Sequence, residues 1–350
     1  MAWNETLTSP RWHGIDYLRA FMSLAVIAWH MRLFGTSSLF DLNGYSTHRI
    51  QFSDIINFNL LLLAVPVFFL ISIFLQIEKC LKRSPDFWGR IERLTYMYFF
   101  WIGIFLIICK IEGKFSLLWP DTGLKAVLFV ISGGKSLFYF LFSLILLTIL
   151  SQLSMRQPLI QQKILAFFFL VLLWVCPAIV VRYDAFHLLT AFWNPLNFLV
   201  YVYIARLVYH YIGNNPHFIH SILFKKVLLF IFILFVISAT CEWSWLRGIN
   251  NFEYDGYAFP SYTRLSVALG ATFLFLLSFT IRRPPCFIIK LLSEYSLGLY
   301  CLHGFVIVYY YHLLSFIDPT MNRFLDFFLI LSISLALSIL LRRVFRKGLI

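Results

Sequence analysis

The chain has 350 residues, of which 61% are hydrophobic and only 13% are charged. This balance excludes a soluble globular protein of this size and indicates a polytopic membrane protein. The formal net charge of +13 would suit a nucleic-acid partner, but the basic residues are distributed over many short loops, and we predict no nucleic-acid binding. The six cysteines are scattered singly, without CxxC pairs or His/Cys clusters, so the sequence predicts neither a disulfide framework nor a metal site.

Ten apolar segments are long enough to cross a bilayer as helices, at about 17–25 residues each. We therefore predict an all-α fold with about ten transmembrane helices in a single domain (residues 1–350, core 11–345) and no appended soluble domain. The short apolar patch 124–131 is predicted to be an interfacial or re-entrant helix. The ten predicted spans are 15–34, 57–77, 94–111, 136–154, 164–181, 195–212, 226–243, 261–281, 294–314 and 324–341.

Lysine and arginine concentrate in alternate loops, and this sets the predicted orientation. The most basic loop, EKCLKRSPDFWGRIER, joins the second and third spans, and further basic residues follow the fourth, sixth, eighth and tenth spans. The intervening loops hold fewer, Arg264 among them. By the positive-inside rule both termini are then cytoplasmic. The basic excess has a topological cause, with attraction to anionic headgroups as a secondary effect.

The first span carries three ionisable side chains, Asp16, Arg19 and His30, in an otherwise apolar run. Such a group at the bilayer centre costs about 2.5 kcal/mol or more, so each needs an interior partner or a function. Asp16 is within reach of Arg19, one turn later, and can neutralise it. Arg19 and His30 are about three turns apart, so they project from one helix face, about 16 Å apart along the axis. Alternatively, Arg19 is a cytoplasmic flank, Asp16 its partner, and His30 a polar residue near the opposite interface.

Arg90 and Arg93 lie one turn apart where the third span begins. A guanidinium group binds phosphate through two parallel hydrogen bonds, which lysine cannot do. Such a pair at the inner membrane face suits a phosphorylated donor from the cytoplasm. The alternative is ordinary positive-inside anchoring, which accounts for basic loops in general.

The ninth span carries a polar stripe formed by Ser296, Tyr300 and His303, at positions i, i+4 and i+7. Lipid penalises such a stripe, so we predict that it faces the bundle interior or a water-filled cavity. Gly298 and Gly304 permit close approach of neighbouring helices. A hydrogen-bond network that only stabilises helix packing would give the same pattern.

Four pieces of the chain, in this order, resemble the membrane acyltransferase-3 family of bacterial integral-membrane acyltransferases. They are GIDYLRAFMSLAVIAWH with Arg19 and His30, VPVFFLISIFL in the second span, the Arg90-x-x-Arg93 pair, and SLGLYCLHGFVI in the ninth span. The first and third pieces are the specific ones, and the resemblance covers the whole chain. The chain departs from the family pattern at Ile73, where the family commonly has Gly, and in the fourth span, where FYFLF stands in place of a frequent Trp.

The resemblance implies transfer of an acyl group, usually acetyl, from cytoplasmic acyl-coenzyme A to a sugar hydroxyl. A hydroxyl needs a base to react near neutral pH, and imidazole is suited to that role. His30, which we expect to be buried on an inward face, is the candidate. Arg90 and Arg93 are candidates to bind the phosphates of coenzyme A. Arg19, held by Asp16, is expected either to orient the donor or to stabilise negative charge on the thioester oxygen.

The axial offset between Arg19 and His30 predicts that the acyl group crosses the bundle to an acceptor on the outer side. The path between the two faces is expected to be lined by Ser296, Tyr300 and His303. An acceptor reached from the cytoplasm would instead require His30 to be open to the inner face.

These residues and the resemblance together predict an acetyl-CoA-dependent O-acetyltransferase of the bacterial inner membrane that modifies a surface glycan, such as O-antigen, capsule or exopolysaccharide. The expected partners are the lipid bilayer and a lipid-linked glycan acceptor, and a homo-oligomer is compatible with the sequence. One alternative is a transporter or a flippase of a lipid-linked glycan, with Asp16, Arg19 and His30 lining a permeation path. Transporters often contain internal repeats, but the two halves of this chain show no convincing similarity to each other, which counts against a transporter. Another alternative is an acyltransferase of a small hydroxylated metabolite, such as a macrolide.

Overall fold

The computed structural model describes residues 12–35, 51–82, 86–113, 133, 136–182, 188–247, 260–314 and 322–345. Every regular element in these ranges is helical. The predicted interfacial helix at 124–131 lies outside the described residues. The helices are α1 (His13–His30), α2 (Phe52–Lys82), α3 (Phe87–Ile111), α4 (Tyr139–Ser154), α5 (Leu159–Arg182), α6 (Leu199–Val208), α7 (Ile222–Arg247), α8 (Leu265–Ser278), α9 (Phe287–Glu294), α10 (Ser296–Leu314) and α11 (Arg323–Val344).

Each of the ten predicted segments overlaps one of these helices. Five described helices, α2, α3, α5, α7 and α11, are long and apolar enough to cross a membrane. The pair α9 and α10, which is bent by 73° around Tyr295, would be a sixth span. α4 and α8 are apolar but shorter. The total of ten spans and the cytoplasmic location of both termini stay predictions.

α2 forms the centre of the bundle and is irregular in its first half. Ile56–Leu60 forms a π-helical turn and Leu61–Leu63 a 3-10 turn before the regular helix Ala64–Lys82 begins. Pro66 lies in the first turn of that regular helix, where its missing N–H is tolerated. Because Pro66 cannot donate to the carbonyl of Leu62, the hydrogen-bond ladder is interrupted there. Most of α2 is buried, in contact with α1, α4, α6 and α8.

α5 and α7 lie at the periphery and present apolar side chains outward. Phe167 and Trp174 on α5, and Phe230 and Ile237 on α7, are all exposed. An exterior with so much exposed apolar surface is suited to lipid rather than water. The fold is therefore that of a membrane protein.

A buried charged cluster joins α7, α8 and the irregular part of α2. Arg264, predicted from the distribution of basic residues to lie in an outer loop, is only 2% exposed. It donates a hydrogen bond to the carbonyl oxygen of Phe58. Its Nη1 lies 3.9 Å from Oε2 of Glu242. Glu242 also accepts hydrogen bonds from the amide of Ser266 at 2.8 Å and from its hydroxyl at 2.5 Å. Because a buried charge needs such partners, Arg264 is an interior structural residue and not a loop cation.

α1 is enclosed by α2, α8, α9 and α10. It approaches α8 closely at Gly14, where a Cβ would lie 1.7 Å from the carbonyl oxygen of Ser278 in α8. Glycine allows two helix backbones to approach this closely. Trp12, just before α1, packs edge-to-face on Phe279, with ring centroids 5.0 Å apart. These contacts hold the start of α1 against the end of α8.

Replacing Gly14 by alanine is expected to destabilise the protein by about 1–3 kcal/mol, because the added methyl meets backbone that cannot move without shifting α8. Gly103→Ala is the matched control, since no other described atom outside the neighbouring backbone of its own helix lies within 4 Å of the Cβ position at Gly103. Thermal unfolding of both variants in the same detergent measures the difference. Equal melting temperatures would contradict the close approach of α1 and α8.

Candidate active site

The polar side chains of α1 line two cavities toward its opposite ends. The arginine cavity, of about 320 Å³, is lined by Arg19, Arg90 and Arg93. The histidine cavity, of about 170 Å³, is lined by His30 at the other end of α1. Tyr300 lines both cavities. The structure therefore brings the three candidate arginines together and separates them from the candidate base.

Arg90 is fixed in the arginine cavity by α2. Its Nη2 donates to the carbonyl oxygen of Ser72 at 3.2 Å and to the Ser72 hydroxyl at 3.4 Å. Its Nε is buried and has no hydrogen-bond partner among the described residues. Arg93, one turn later on α3, lines the same cavity and is exposed. Because three guanidinium groups line it, this cavity is suited to an anionic ligand.

Asp16 lies between Arg19 and the end of α9. Its Oδ1 accepts a hydrogen bond from the hydroxyl of Ser293 at 3.1 Å, and its carboxylate attracts Arg19 electrostatically. The bend between α9 and α10 also brings Glu294 to the wall of the arginine cavity. Lys290, one turn before Glu294, lies 4.0 Å from its carboxylate. The acidic groups near this cavity thus have partners of their own.

His30 faces the interior of the bundle, as expected, but its side chain is exposed to cavities and not enclosed. The reason is that it lines two cavities at once, the histidine cavity and a third cavity of about 370 Å³ between α3 and α10. We call the third one the apolar cavity, because most of its wall is formed by residues such as Phe105, Ile108 and Phe305. An imidazole that opens onto cavities can reach a substrate, which a fully buried one cannot.

The three stripe residues of the ninth predicted span take different positions. Ser296 lines the arginine cavity, and Tyr300 lines both the arginine and histidine cavities. His303 has no exposed area and lies behind the cavity walls, with its ring centroid 5.0 Å from that of His30. The stripe therefore faces the interior of the bundle.

Tyr300 lies where the arginine and histidine cavities approach each other. Its hydroxyl donates a hydrogen bond to the carbonyl oxygen of Leu137 at 2.5 Å. Its ring packs against Phe140 on α4, with ring centroids 4.7 Å apart. These contacts hold Tyr300 between the two cavities as a partition.

Several aromatic residues of the histidine cavity were not identified from the sequence. Trp29 and Phe192 line it, and the hydroxyl of Tyr139 donates to that of Tyr262 at 3.0 Å at its wall. Phe192 and Tyr262 each lie just before a helix remote from α1 in the chain, so no spacing relates them to His30. Only Trp29 could have been predicted from the sequence, because it is the neighbour of His30 in the chain.

The match to known families covers nearly the whole chain. Residues 12–343 match a family model described as an acyltransferase domain. Together with the apolar exterior, this match defines a membrane acyltransferase and speaks against the transporter alternative. The chain belongs to the acyltransferase-3 family, as the sequence motifs predicted. No curated protein and no solved structure matches the chain.

A cysteine at position 30 is expected to react with a water-soluble maleimide, because that side chain opens onto cavities, whereas a cysteine at position 303 is not. The variants His30→Cys and His303→Cys would be compared in a background without the two exposed native cysteines, Cys241 and Cys286. Labelling of intact cells and of inverted membrane vesicles measures both the extent and the side of access. Equal labelling at the two positions would contradict the described geometry.

Proposed function

We propose that the protein is an O-acetyltransferase of the bacterial cytoplasmic membrane. It moves an acetyl group from cytoplasmic acetyl-coenzyme A to a hydroxyl group of a lipid-linked surface-glycan sugar. The observation that carries this proposal is the separation of three arginines and one accessible histidine into two cavities with Tyr300 between them. The family supports acyl transfer in general. The donor, the acceptor and the side of transfer are our proposal.

The arginine cavity supports a coenzyme A donor. Coenzyme A carries phosphate groups, which guanidinium groups bind in a bidentate fashion. Arg19, Arg90 and Arg93 line this cavity together, so it presents three positive charges to a bound anion. The starts of α1, α3 and α10 meet at this cavity, and the positive-inside rule assigns these ends to the cytoplasm. Acetyl-coenzyme A is available on that side.

His30 is the proposed general base. It takes the proton of the acceptor hydroxyl as the hydroxyl oxygen attacks the thioester carbonyl. A carbon–oxygen bond forms, the carbon–sulfur bond breaks, and the proton leaves with the sulfur as the thiol of coenzyme A. Arg19 and His30 are about 16 Å apart along the axis of α1, a distance that favours a donor-orienting role for Arg19 over contact with the thioester oxygen.

The other two cavities support the choice of acceptor. Trp29, Tyr139 and Tyr262 give the histidine cavity aromatic walls and hydroxyl groups, a combination suited to the apolar faces and hydroxyls of a sugar ring. The apolar cavity, which also reaches His30, would accommodate the lipid of a lipid-linked acceptor. Both lie toward the end of α1 that is remote from the arginines, which favours an acceptor on the outer side.

His30→Gln is expected to lower acetyl transfer by about 10²–10⁴-fold, because glutamine cannot take a proton from a hydroxyl. The measurement is the acetyl content, by NMR, of surface polysaccharide from cells with the gene deleted and then restored as wild type or variant. His210→Gln is the control, since His210 is exposed and lines none of these cavities. Normal acetyl content with His30→Gln would remove His30 from the mechanism.

Arg90→Lys is expected to raise KM for acetyl-coenzyme A about tenfold with little change in kcat, because the loss of one charge-assisted hydrogen bond costs about 1.5 kcal/mol. Membrane vesicles supplied with radiolabelled acetyl-coenzyme A over a range of concentrations measure both constants. Arg156→Lys, at an exposed arginine on the same predicted side, is the matched control. An unchanged KM would show that Arg90 does not bind the donor.

A further inference from the structure

His303 is a buried histidine to which the reaction described above gives no role. It has no exposed area, and its Nδ1 lies 3.0 Å from the carbonyl oxygen of Leu299, one turn earlier on α10. A carbonyl oxygen only accepts hydrogen bonds, so Nδ1 carries the hydrogen. A buried charge without a counterion is costly, which favours the neutral ring. In a neutral ring protonated at Nδ1, Nε2 has a lone pair and can only accept.

Nε2 of His303 is free to accept a hydrogen bond. Nε2 of His303 is buried and has no hydrogen-bond partner among the described residues. An unpaired buried acceptor costs about 1–3 kcal/mol, so a donor that reaches this nitrogen would stabilise the protein. The nitrogen needs a neighbouring N–H or O–H group that can turn toward it.

The neighbouring ring that can supply this donor is that of His30. The two ring centroids are 5.0 Å apart, and the ring planes are inclined by 48°. An in-line N–H···N hydrogen bond between two imidazoles requires a centroid separation of about 5 Å, since the nitrogens are about 3 Å apart and each lies about 1 Å from its ring centre. The rings are therefore at the right separation, and a rotation of the accessible His30 ring completes the bond.

A second polar neighbour of His303, Tyr300, does not compete for its Nε2. Tyr300 lies on the same helix, with its ring centroid 5.9 Å from that of His303. Its hydroxyl hydrogen is already donated to the carbonyl oxygen of Leu137 at 2.5 Å. Among these two neighbours, only His30 has a ring hydrogen to offer.

We propose that Nε2 of His303 accepts a hydrogen bond from a ring N–H of His30 and thereby positions His30 as the general base, an inference that rests on the proposed function. A neutral imidazole has one N–H and one lone pair. When the N–H of His30 is bound by His303, the lone pair of His30 lies on its other ring nitrogen. That nitrogen then takes the proton of the acceptor hydroxyl. His303 acts through His30 and touches neither the donor nor the acceptor.

The test compares His303→Gln with His303→Leu in the full-length protein. The carboxamide oxygen of glutamine can accept in place of Nε2, whereas leucine has no acceptor. In membrane vesicles supplied with radiolabelled acetyl-coenzyme A, His303→Leu is expected to lower kcat about 10²-fold. KM for acetyl-coenzyme A should not change, because the arginine cavity lies toward the other end of α1. His303→Gln is expected to restore kcat to within about tenfold of the wild type.

A double variant tests whether His303 acts through His30 or independently of it. His30→Gln combined with His303→Leu is expected to be no slower than His30→Gln alone, because both changes act through one group. If His303→Leu does not accumulate in the membrane, His303→Asn replaces it; its shorter amide cannot reach His30, and the same loss of kcat is expected.

Three results would overturn the proposal. The first is an equal kcat for His303→Gln and for His303→Leu, or for His303→Asn where it replaces the leucine variant. The second is an additive loss of kcat in the double variant, and the third is a rise in KM without a change in kcat. A wild type that transfers no acetyl group would instead overturn the proposed function. Wild-type transfer that His30→Gln abolishes, together with fully active His303 variants, would overturn the present inference alone.

Discussion

The enclosure of α1 by its neighbours is the constraint on which the site depends. Asp16 and Arg19 are costly in hydrocarbon, and they are tolerated because interior groups surround them. The hydroxyl of Ser293 bonds to Asp16, and Gly14 lets α1 approach α8 closely enough to close the bundle on that side. At the edge of the bundle, the same helix would expose these charges to lipid. The packing of its first turn is thus a condition for the chemistry proposed at its other end.

The interior holds two kinds of arginine, and the groups around them distinguish them. Arg264 donates to the carbonyl of Phe58 and lies beside Glu242, so its charge is balanced by the protein itself. Arg90 is held on one edge by Ser72 and lines the arginine cavity together with Arg19 and Arg93. The first arrangement stabilises the junction of three helices. The second collects three positive charges around one cavity, which leaves binding capacity for an anion.

The sequence predicted the family and most helices because helical periodicity and the cost of charge in lipid are local properties. The same reasoning failed where position depends on distant partners. Arg264 looked like a loop cation because its burial depends on Glu242, on the preceding helix. The exposure of His30 arises from cavities between helices far apart in the chain. The bend at Tyr295 falls in a stretch without proline, so no residue type there predicted a bend.

The partition formed by Tyr300 has a consequence for the membrane as a whole. Polar cavities that reach into a bundle from both ends would, if joined, form a pore that dissipates the ion gradients across the bilayer. Tyr300 is tied to Leu137 and packed on Phe140 between them. In the proposed reaction the acyl group stays bonded to the narrow, uncharged thiol arm of coenzyme A until the hydroxyl attacks it, so a barrier one side chain thick can let this arm reach His30 while it blocks hydrated ions. An enzyme built in this way keeps the two cavities apart, so that acyl transfer opens no path for ions through the bilayer.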